Sequence, residues 1–429
     1  MTDADAPSGV SDDVRKAARG SVALGVGQAG ARAAQLLFVL LVTRAVSPEQ
    51  FGRYSIASAL LVFGSFVSDF GTTRMIVRTV SRDIARADRL LSGTLLASVA
   101  LGAVAWAGIV AFAVVAYAGV STVDVVLAGA ALPLMAAGTS FAGALDGAGR
   151  FAARSVANLL QACVVALGGA AAVMITDDMR WALACIPLGA LAGLVVAARA
   201  AVTRGLLHSR LRVDLAECRG LLRASLPFAL FAGLGALSGR FDVTLLSIID
   251  GPADAAAYDV ALRGTESLWY LHSLVTGPTL FLLSRRLGAG DRRGAQRAFT
   301  EAVRLSYLIG LLLSALLVGL HEPLIRLLGG AAYGDAATAL ALLGPGLFLT
   351  FVGLVQGTLI LAGDHHRAGL FVAGAVTAAT LALDLVMVPI WGIAGAAGAA
   401  SITSLLTCVT FAWFGQRSEG LRTPLPAPA

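Results

Sequence analysis

Charge is scarce in this sequence. Of its 429 residues only 14% are Asp, Glu, Lys or Arg, 57% are hydrophobic, and mean hydropathy is +0.81. A soluble chain of this length divides into domains with polar surfaces, and no stretch here could supply them. Aromatic residues are also few, at 7%. The basic residues therefore lack the interleaved stacking rings of a single-strand-binding groove, and nucleic acid is excluded as a partner in spite of the net charge of +6. Four cysteines, Cys163, Cys185, Cys218 and Cys408, lie far apart without CxxC or Cys/His ligand spacing. Neither a disulfide framework nor a zinc site follows, and they read as small buried hydrophobes. No Ser/His/Asp arrangement, paired catalytic carboxylates or Gly-Lys-Ser/Thr phosphate loop is present. The chain is expected to be no enzyme, to hold no ATP and to need no cofactor. The apolar run from about 21 to 46 is too long for a signal-peptide core and reads as a retained membrane helix.

Long apolar runs dominate. Taking about 20 apolar residues per span, twelve spans are predicted, near 20–44, 51–74, 90–118, 122–146, 154–176, 180–200, 221–249, 254–284, 298–321, 336–363, 368–389 and 391–415. The divisions inside 90–146 and 368–415 rest on short breaks, Gly119 to Asp124 in the first and Pro389 with Gly392 in the second. The arginine map tests the count. Of 32 Lys/Arg, 24 fall in alternate gaps: the N-terminus, 74–89, 150–154, 199–223, 285–297, Arg367 and the C-terminal tail. The other gaps carry only Arg44, Arg53, Arg180 and Arg326. With twelve spans all the basic gaps share one side with both termini, and with eleven they would not. The positive-inside rule makes that side cytoplasmic and the protein a multi-pass component of the cytoplasmic (inner) membrane.

The expected fold is an all-α polytopic membrane protein with about twelve transmembrane helices in two six-helix bundles around a central cavity. The corresponding segments are a polar N-terminus (1–19), a first bundle (20–205), a cytoplasmic linker (206–220), a second bundle (221–415) and a cytoplasmic tail (416–429). Weak internal similarity accompanies the division. Pro48 and Tyr54 match Pro252 and Tyr258, Ala148-Gly149 matches Ala362-Gly363, and Trp181 matches Trp391. Six spans per half place the repeats parallel about an axis along the membrane normal.

Gly25-Val26-Gly27-Gln28-Ala29-Gly30 fits G-x-G-x-x-G, but no strand precedes it and no βαβ unit follows. Close helix packing through small residues is the expected role. Asp364, His365 and His366 suggest a metal only superficially, because no further ligand accompanies them. Charge inside the spans carries more information. An arginine at the bilayer centre costs about 2.5–3.5 kcal/mol on insertion scales and faces a bundle interior or a watery cavity. In the first span Gln28, Arg32 and Gln35 share one helical face. The second contributes Ser65, Ser68, Asp69 and Thr72. In the seventh, Arg240 and Asp242 are two apart and point to different faces. In the eighth, Asp259, Arg263, Glu266 and Tyr270 form one stripe. Arg304 with Glu301 reads as a local pair near a span end, and Asp384 is a carboxylate inside the eleventh span. These groups are either helix-to-helix ion pairs, such as Arg263 with Glu266 or Arg32 with Asp69, or the polar lining of a shared cavity. Their concentration in spans one, two, seven and eight favours the lining.

Several segments resemble a known family. Leu381-Ala-Leu-Asp384-Leu-Val-Met-Val-Pro389-Ile-Trp391-Gly392 is similar to the eleventh-to-twelfth span junction of polysaccharide flippases, although the family usually has asparagine where Asp384 stands. Gly30-Ala-Arg32-Ala-Ala-Gln35, then Thr43-Arg44-Ala-Val-Ser-Pro48-Glu-Gln-Phe51-Gly52-Arg-Tyr54 and Ser68-Asp69-Phe70-Gly71, resemble its first two spans. The likeness is to the multidrug/oligosaccharidyl-lipid/polysaccharide (MOP) superfamily, in its O-antigen-type branch. It implies alternating access and a lipid-linked oligosaccharide of the undecaprenyl-diphosphate type as substrate, with membrane lipids around it and glycosyltransferases or a polysaccharide polymerase as functional neighbours. It assigns Arg32, Arg240 and Arg263 to a cationic cavity for the anionic head group, with Gln28 and Gln35 beside them. Asp69, Asp242, Glu266 and Asp384 would bind a coupling cation or balance charge. A cation-coupled drug exporter and a non-transporting scaffold are the alternatives.

Overall fold

A computed structural model describes residues 8–117, 122–208, 215–362 and 366–418. Asp364 and His365, the termini 1–7 and 419–429, and residues 118–121 lie outside the described residues. Helices make up nearly all of what is described, and no strand occurs there. In chain order they are α1 (Ser8–Ala45), α2 (Pro48–Asp69), α3 (Thr72–Arg82), α4 (Arg86–Ala116), α5 (Thr122–Gly129), α6 (Ala131–Gly147), α7 (Phe151–Cys163) and α8 (Gly169–Thr176). They continue with α9 (Met179–Thr203), α10 (Leu215–Ile249), α11 (Pro252–Trp269), α12 (Ser273–Gly288), α13 (Arg292–Gly319), α14 (His321–Leu328), α15 (Ala336–Ala362) and α16 (His366–Ser418).

Among the described residues, ten helical stretches are long and apolar enough to cross a membrane. The last, Gly369–Phe414, holds two crossings, because Gly392 leaves helical geometry at φ 53°, ψ −129°, shortly after Pro389. Only glycine takes that conformation without strain. The eighth expected span is the other one missing from the ten. It is split into α11 and α12 by a 3₁₀ turn at Tyr270–His272 and is rich in charge in its first half. Counting both, the twelve crossings expected from the sequence are recovered. Many apolar side chains on these helices, among them Val104, Val115, Leu308, Leu312 and Ile390, stay exposed, as a lipid-facing surface requires.

The chain forms two compact units, Met1–Val46 with Ala57–Gly233, and Ser47–Ile56 with Leu234–Ala429. Their boundary falls inside α10 rather than in the polar linker 206–220. Leu221 explains this: it is buried in one cluster with Ile76, Val80, Leu91, Leu145, Ala201 and Leu206, so the start of α10 packs with the first unit. The second difference is the segment 47–56, whose residues belong to the second unit although α2 continues into the first.

Within the first unit, α2 breaks where the sequence suggested one continuous span. Phe70 and Gly71 have φ of 43° and 71°, and a side chain at Gly71 would meet Ser225 and the Phe228–Ala229 backbone. The chain then re-enters helix as α3, capped by Asp69, which accepts from the Thr73 N–H at 3.2 Å and from the Thr73 hydroxyl. Gly143 and Gly147 of α6 let the Ile76 and Val80 side of α3 approach closely. The α7–α8 crossing carries a π-helical turn at Val164–Gly168. The G-x-G-x-x-G segment packs as expected of small residues: a side chain at Gly27 would collide with Ser155 of α7, and one at Gly30 would touch Leu159 at 3.0 Å. Gly25 faces open space.

In the second unit, Leu283, Phe299, Val303, Val355 and Leu359 form a buried core between α12, α13 and α15. Trp181 and Trp391, equivalent in the proposed repeat, are both exposed at the start of a crossing, a place suited to an interfacial aromatic.

The Gly27 contact gives a direct test. Gly27→Val should cost about 1–3 kcal/mol by overpacking, read as a lowered unfolding temperature in detergent, whereas Gly25→Ala should leave that temperature unchanged or slightly raised.

Candidate functional site

The two arginines expected to matter in the C-terminal half converge on one carboxylate, Asp259, which was not among the expected binding or coupling residues. Asp259 of α11 is almost fully buried, with its side chain 1% exposed. Its Oδ1 accepts from Arg240 Nη1 at 2.9 Å, and its Oδ2 accepts from Arg263 Nε at 2.7 Å and from the Ser55 hydroxyl at 2.7 Å. Arg240 also donates through Nη2 to both oxygens of Glu266, at 3.0 and 3.1 Å. The Arg263 guanidinium lies 5.5 Å from the Tyr54 ring centroid, within cation–π range. Two arginines, two carboxylates, a hydroxyl and an aromatic face thus form one network in the second unit.

The helix geometry follows from the sequence. Asp259 and Arg263 are one turn apart, so α11 presents them on one face. Arg240 comes from α10, while Tyr54 and Ser55 come from the first turns of α2. Pro48 and Pro252 each open a helix, a position where proline fits without loss. Gly52 is required by the close pass of the Pro252 backbone, which a side chain there would strike. Ser55 and Asp259, hydrogen-bonded to one another, are separated by 204 positions, the offset that relates Pro48 to Pro252 and Tyr54 to Tyr258. In the proposed repeat these two residues are equivalent positions. Nearby, Phe51 meets the Tyr333 ring edge-on at 6.2 Å. Burial, reinforced by Glu49, holds the Tyr333 phenol above the usual tyrosine range.

Arg240 and Asp242 do not pair with each other, as their spacing implied. Asp242 accepts from the Tyr258 hydroxyl at 2.5 Å and from the Val243 N–H at 2.7 Å. Asp384 of α16 is buried at 1% exposure, its Oδ2 has no hydrogen-bond partner among the described residues, and it feels the charge of Asp242. Of the suggested ion pairs, Arg263 takes Asp259 rather than Glu266, and Asp69 takes Thr73. Arg32 is half-buried in the first unit and donates to Gln35 at 2.9 Å; Gln28 is exposed. Arg304 and Glu301 form an exposed local pair at 3.3 Å. The Tyr270 side chain lies outside the described residues. Two arginines of the arginine-poor gaps are each matched by an acid, Arg180 by Asp124 at 3.3 Å and Arg326 by Glu322 at 3.4 Å.

Sequence spacing could have raised Asp259 through its i, i+4 relation to Arg263. Ser55 had no such signal beyond the repeat offset. The exposures separate the two acids: Asp259 is sealed in, whereas Glu266 is 27% exposed beside an Arg240 at 14%. Glu266 is the partner that an incoming anion could replace on a guanidinium fork already set for two oxygens.

Helices of this length, charge buried between them and two compact units define a polytopic membrane protein. The lipid II flippase MurJ in an inward closed conformation superposes with a TM-score of 0.76 at 13% identity, over 92% of this chain and 87% of that one. A multidrug resistance MATE family transporter of the MOP superfamily, inward-facing, does so at 0.69 and 15%, over 90% and 94%. A MOP superfamily transporter from Pyrococcus furiosus gives 0.62 and 16%, over 94% and 95%. No curated protein matches the chain significantly in sequence. The polysaccharide biosynthesis protein family matches residues 17–267, more than half of the chain, and the MatE family matches 227–386. The chain belongs to the polysaccharide biosynthesis protein family.

Removing the shared carboxylate should be costly, because two buried arginines lose a partner at once. Asp259→Asn is expected to destabilise by about 3–5 kcal/mol and Ser55→Ala by about 1 kcal/mol, compared by denaturation in detergent. Equal effects would contradict the sharing.

Proposed function

We propose that the protein is a flippase that moves a lipid-linked oligosaccharide, of the undecaprenyl-diphosphate type, from the inner to the outer leaflet of the cytoplasmic membrane by alternating access, for synthesis of a surface polysaccharide such as O-antigen. The observation that carries this reading is the match to the polysaccharide biosynthesis protein family over 17–267. The resemblance in fold to a lipid II flippase supports it, since that protein's substrate is also a lipid-linked one. Both termini are placed in the cytoplasm on the arginine distribution. Glycosyltransferases or a polymerase would act before and after it.

In this reading Arg240 and Arg263 bind the diphosphate, with Arg32, Gln28 and Gln35 as further contacts in the N-terminal half. Glu266 holds the Arg240 fork in the empty state and yields it to phosphate oxygens. Asp259 stays in place and keeps both guanidiniums aimed. The polar head crosses while the lipid tail remains in the bilayer. Asp242 and Asp384, with Asp69 less directly, are the groups proposed to take a coupling cation or proton: Asp384 Oδ2 is a buried carboxylate oxygen without a hydrogen-bond partner among the described residues, and either would stabilise it.

The MatE match over 227–386 favours a second reading, a cation-coupled exporter of small amphipathic molecules. One strain set separates the two. Replacing Arg32, Arg240 and Arg263 together by lysine keeps charge but removes the planar fork. The variant should insert at normal levels, and surface polysaccharide should fall at least about tenfold, measured by glycan immunoblot in a deletion strain. Unchanged glycan would overturn the arginine assignment, and a deletion strain with normal glycan but lost drug tolerance would move the function to export.

A further inference from the structure

Helix α3 is the short helix that follows the break at Phe70-Gly71, and its two faces have different chemistry. Thr72, Ile76 and Val80 are buried, Ile76 and Val80 lying against Gly143 and Gly147 of α6. Two positions further on at each turn stand Arg74, Arg78 and Arg82, all exposed. An offset of two residues is about 200° on a helix, so the arginines form a row on the opposite face, spaced about 6 Å along the axis. The turn after the helix exposes Ile84, and Arg86 and Arg89 continue the basic surface. Of the acids nearby, Asp83 pairs with Arg86 at 3.2 Å and Asp88 accepts from the His208 N–H at 2.6 Å.

A topology signal needs positive charge in the loop, but it does not need a rigid row on one helix face. Here the row is fixed from both sides. Gly71 and the Asp69 cap set the helix direction, and the cluster containing Ile76, Val80, Leu91, Leu145 and Leu221 holds its apolar side. The side chains are also of one kind. All but one of the chain's 32 basic residues are arginine, the exception being Lys16. Guanidinium engages phosphate oxygens in pairs, whereas ammonium acts as a point charge. A row of guanidiniums with one exposed apolar side chain at its end, at the arginine-rich end of the spans, is complementary to a layer of phosphate head groups above acyl chains.

We propose that the Arg74–Arg78–Arg82 face of α3 is a docking surface for the head groups of anionic phospholipids, which seat the first unit in its leaflet. The surface is separate from Arg32, Arg240 and Arg263 and does not depend on which molecule the protein carries. The purified protein in neutral detergent tests it, with its unfolding temperature measured as phosphatidylglycerol or phosphatidylcholine is added. The wild type should be stabilised by phosphatidylglycerol at about tenfold lower concentration than by phosphatidylcholine. The R74Q/R78Q/R82Q variant should lose that preference, and R285Q/R292Q/R297Q, altered in the second unit, should keep it. Should the triple variant fold poorly, the single charge reversal R78E is expected to weaken the preference in a protein otherwise intact. Equal response to both lipids in the wild type, retention of the preference in R74Q/R78Q/R82Q or R78E, or an equal shift with inorganic phosphate alone would overturn the proposal.

Discussion

The structure turns on one buried carboxylate. Asp259 accepts from Arg240, Arg263 and Ser55, and in doing so joins α10, α11 and the first turns of α2. Without it, both guanidiniums would lose a buried carboxylate acceptor at once, a cost of several kcal/mol. With it, both arginines are held in fixed orientation while one of them keeps a second, more exposed carboxylate. An anion-binding site inside a membrane protein needs this combination: cations that cannot wander, and a counter-charge that can give way.

The network also explains why the start of α2 packs with the second unit while the rest of the helix belongs to the first. Tyr54 covers Arg263, Gly52 admits the Pro252 backbone, and Phe51 meets Tyr333. Of the contacts made by this segment, the Ser55–Asp259 hydrogen bond joins residues 204 positions apart, the offset between Pro48 and Pro252.

Much of the fold was legible because membrane insertion imposes strong rules. Hydrophobic length and arginine placement led to twelve crossings, and Pro389 with Gly392 marked the last division correctly. The G-x-G-x-x-G segment was read as packing on its context, and Gly27 against Ser155 bears this out. What the sequence could not convey was geometry that depends on neighbours. The break at Phe70-Gly71 needs Ser225 and Phe228 nearby to make sense, and the boundary inside α10 depends on where Leu221 finds its core. The site was half legible. Arg240, Arg263 and Glu266 stood out as charges in apolar runs, but Asp259 was seen only as one member of a stripe. Its role as a shared acceptor requires α10 and α2 to be in place. Helical spacing offered Arg263 two acids, Asp259 and Glu266, and only the presence of α10 settles the choice, since Glu266 is drawn to Arg240 across the helices.

The central claim is that these intramembrane arginines serve the passage of a lipid-linked anionic head group. Reconstitution measures it most directly: protein in vesicles loaded on the inner leaflet with an undecaprenyl-diphosphate oligosaccharide, and an external glycosidase reporting arrival of the sugar outside. The account predicts protein-dependent exposure of the sugar that is slowed by excess undecaprenyl diphosphate. Sugar that remains inside, in vesicles where the same protein moves a cationic drug, would contradict it.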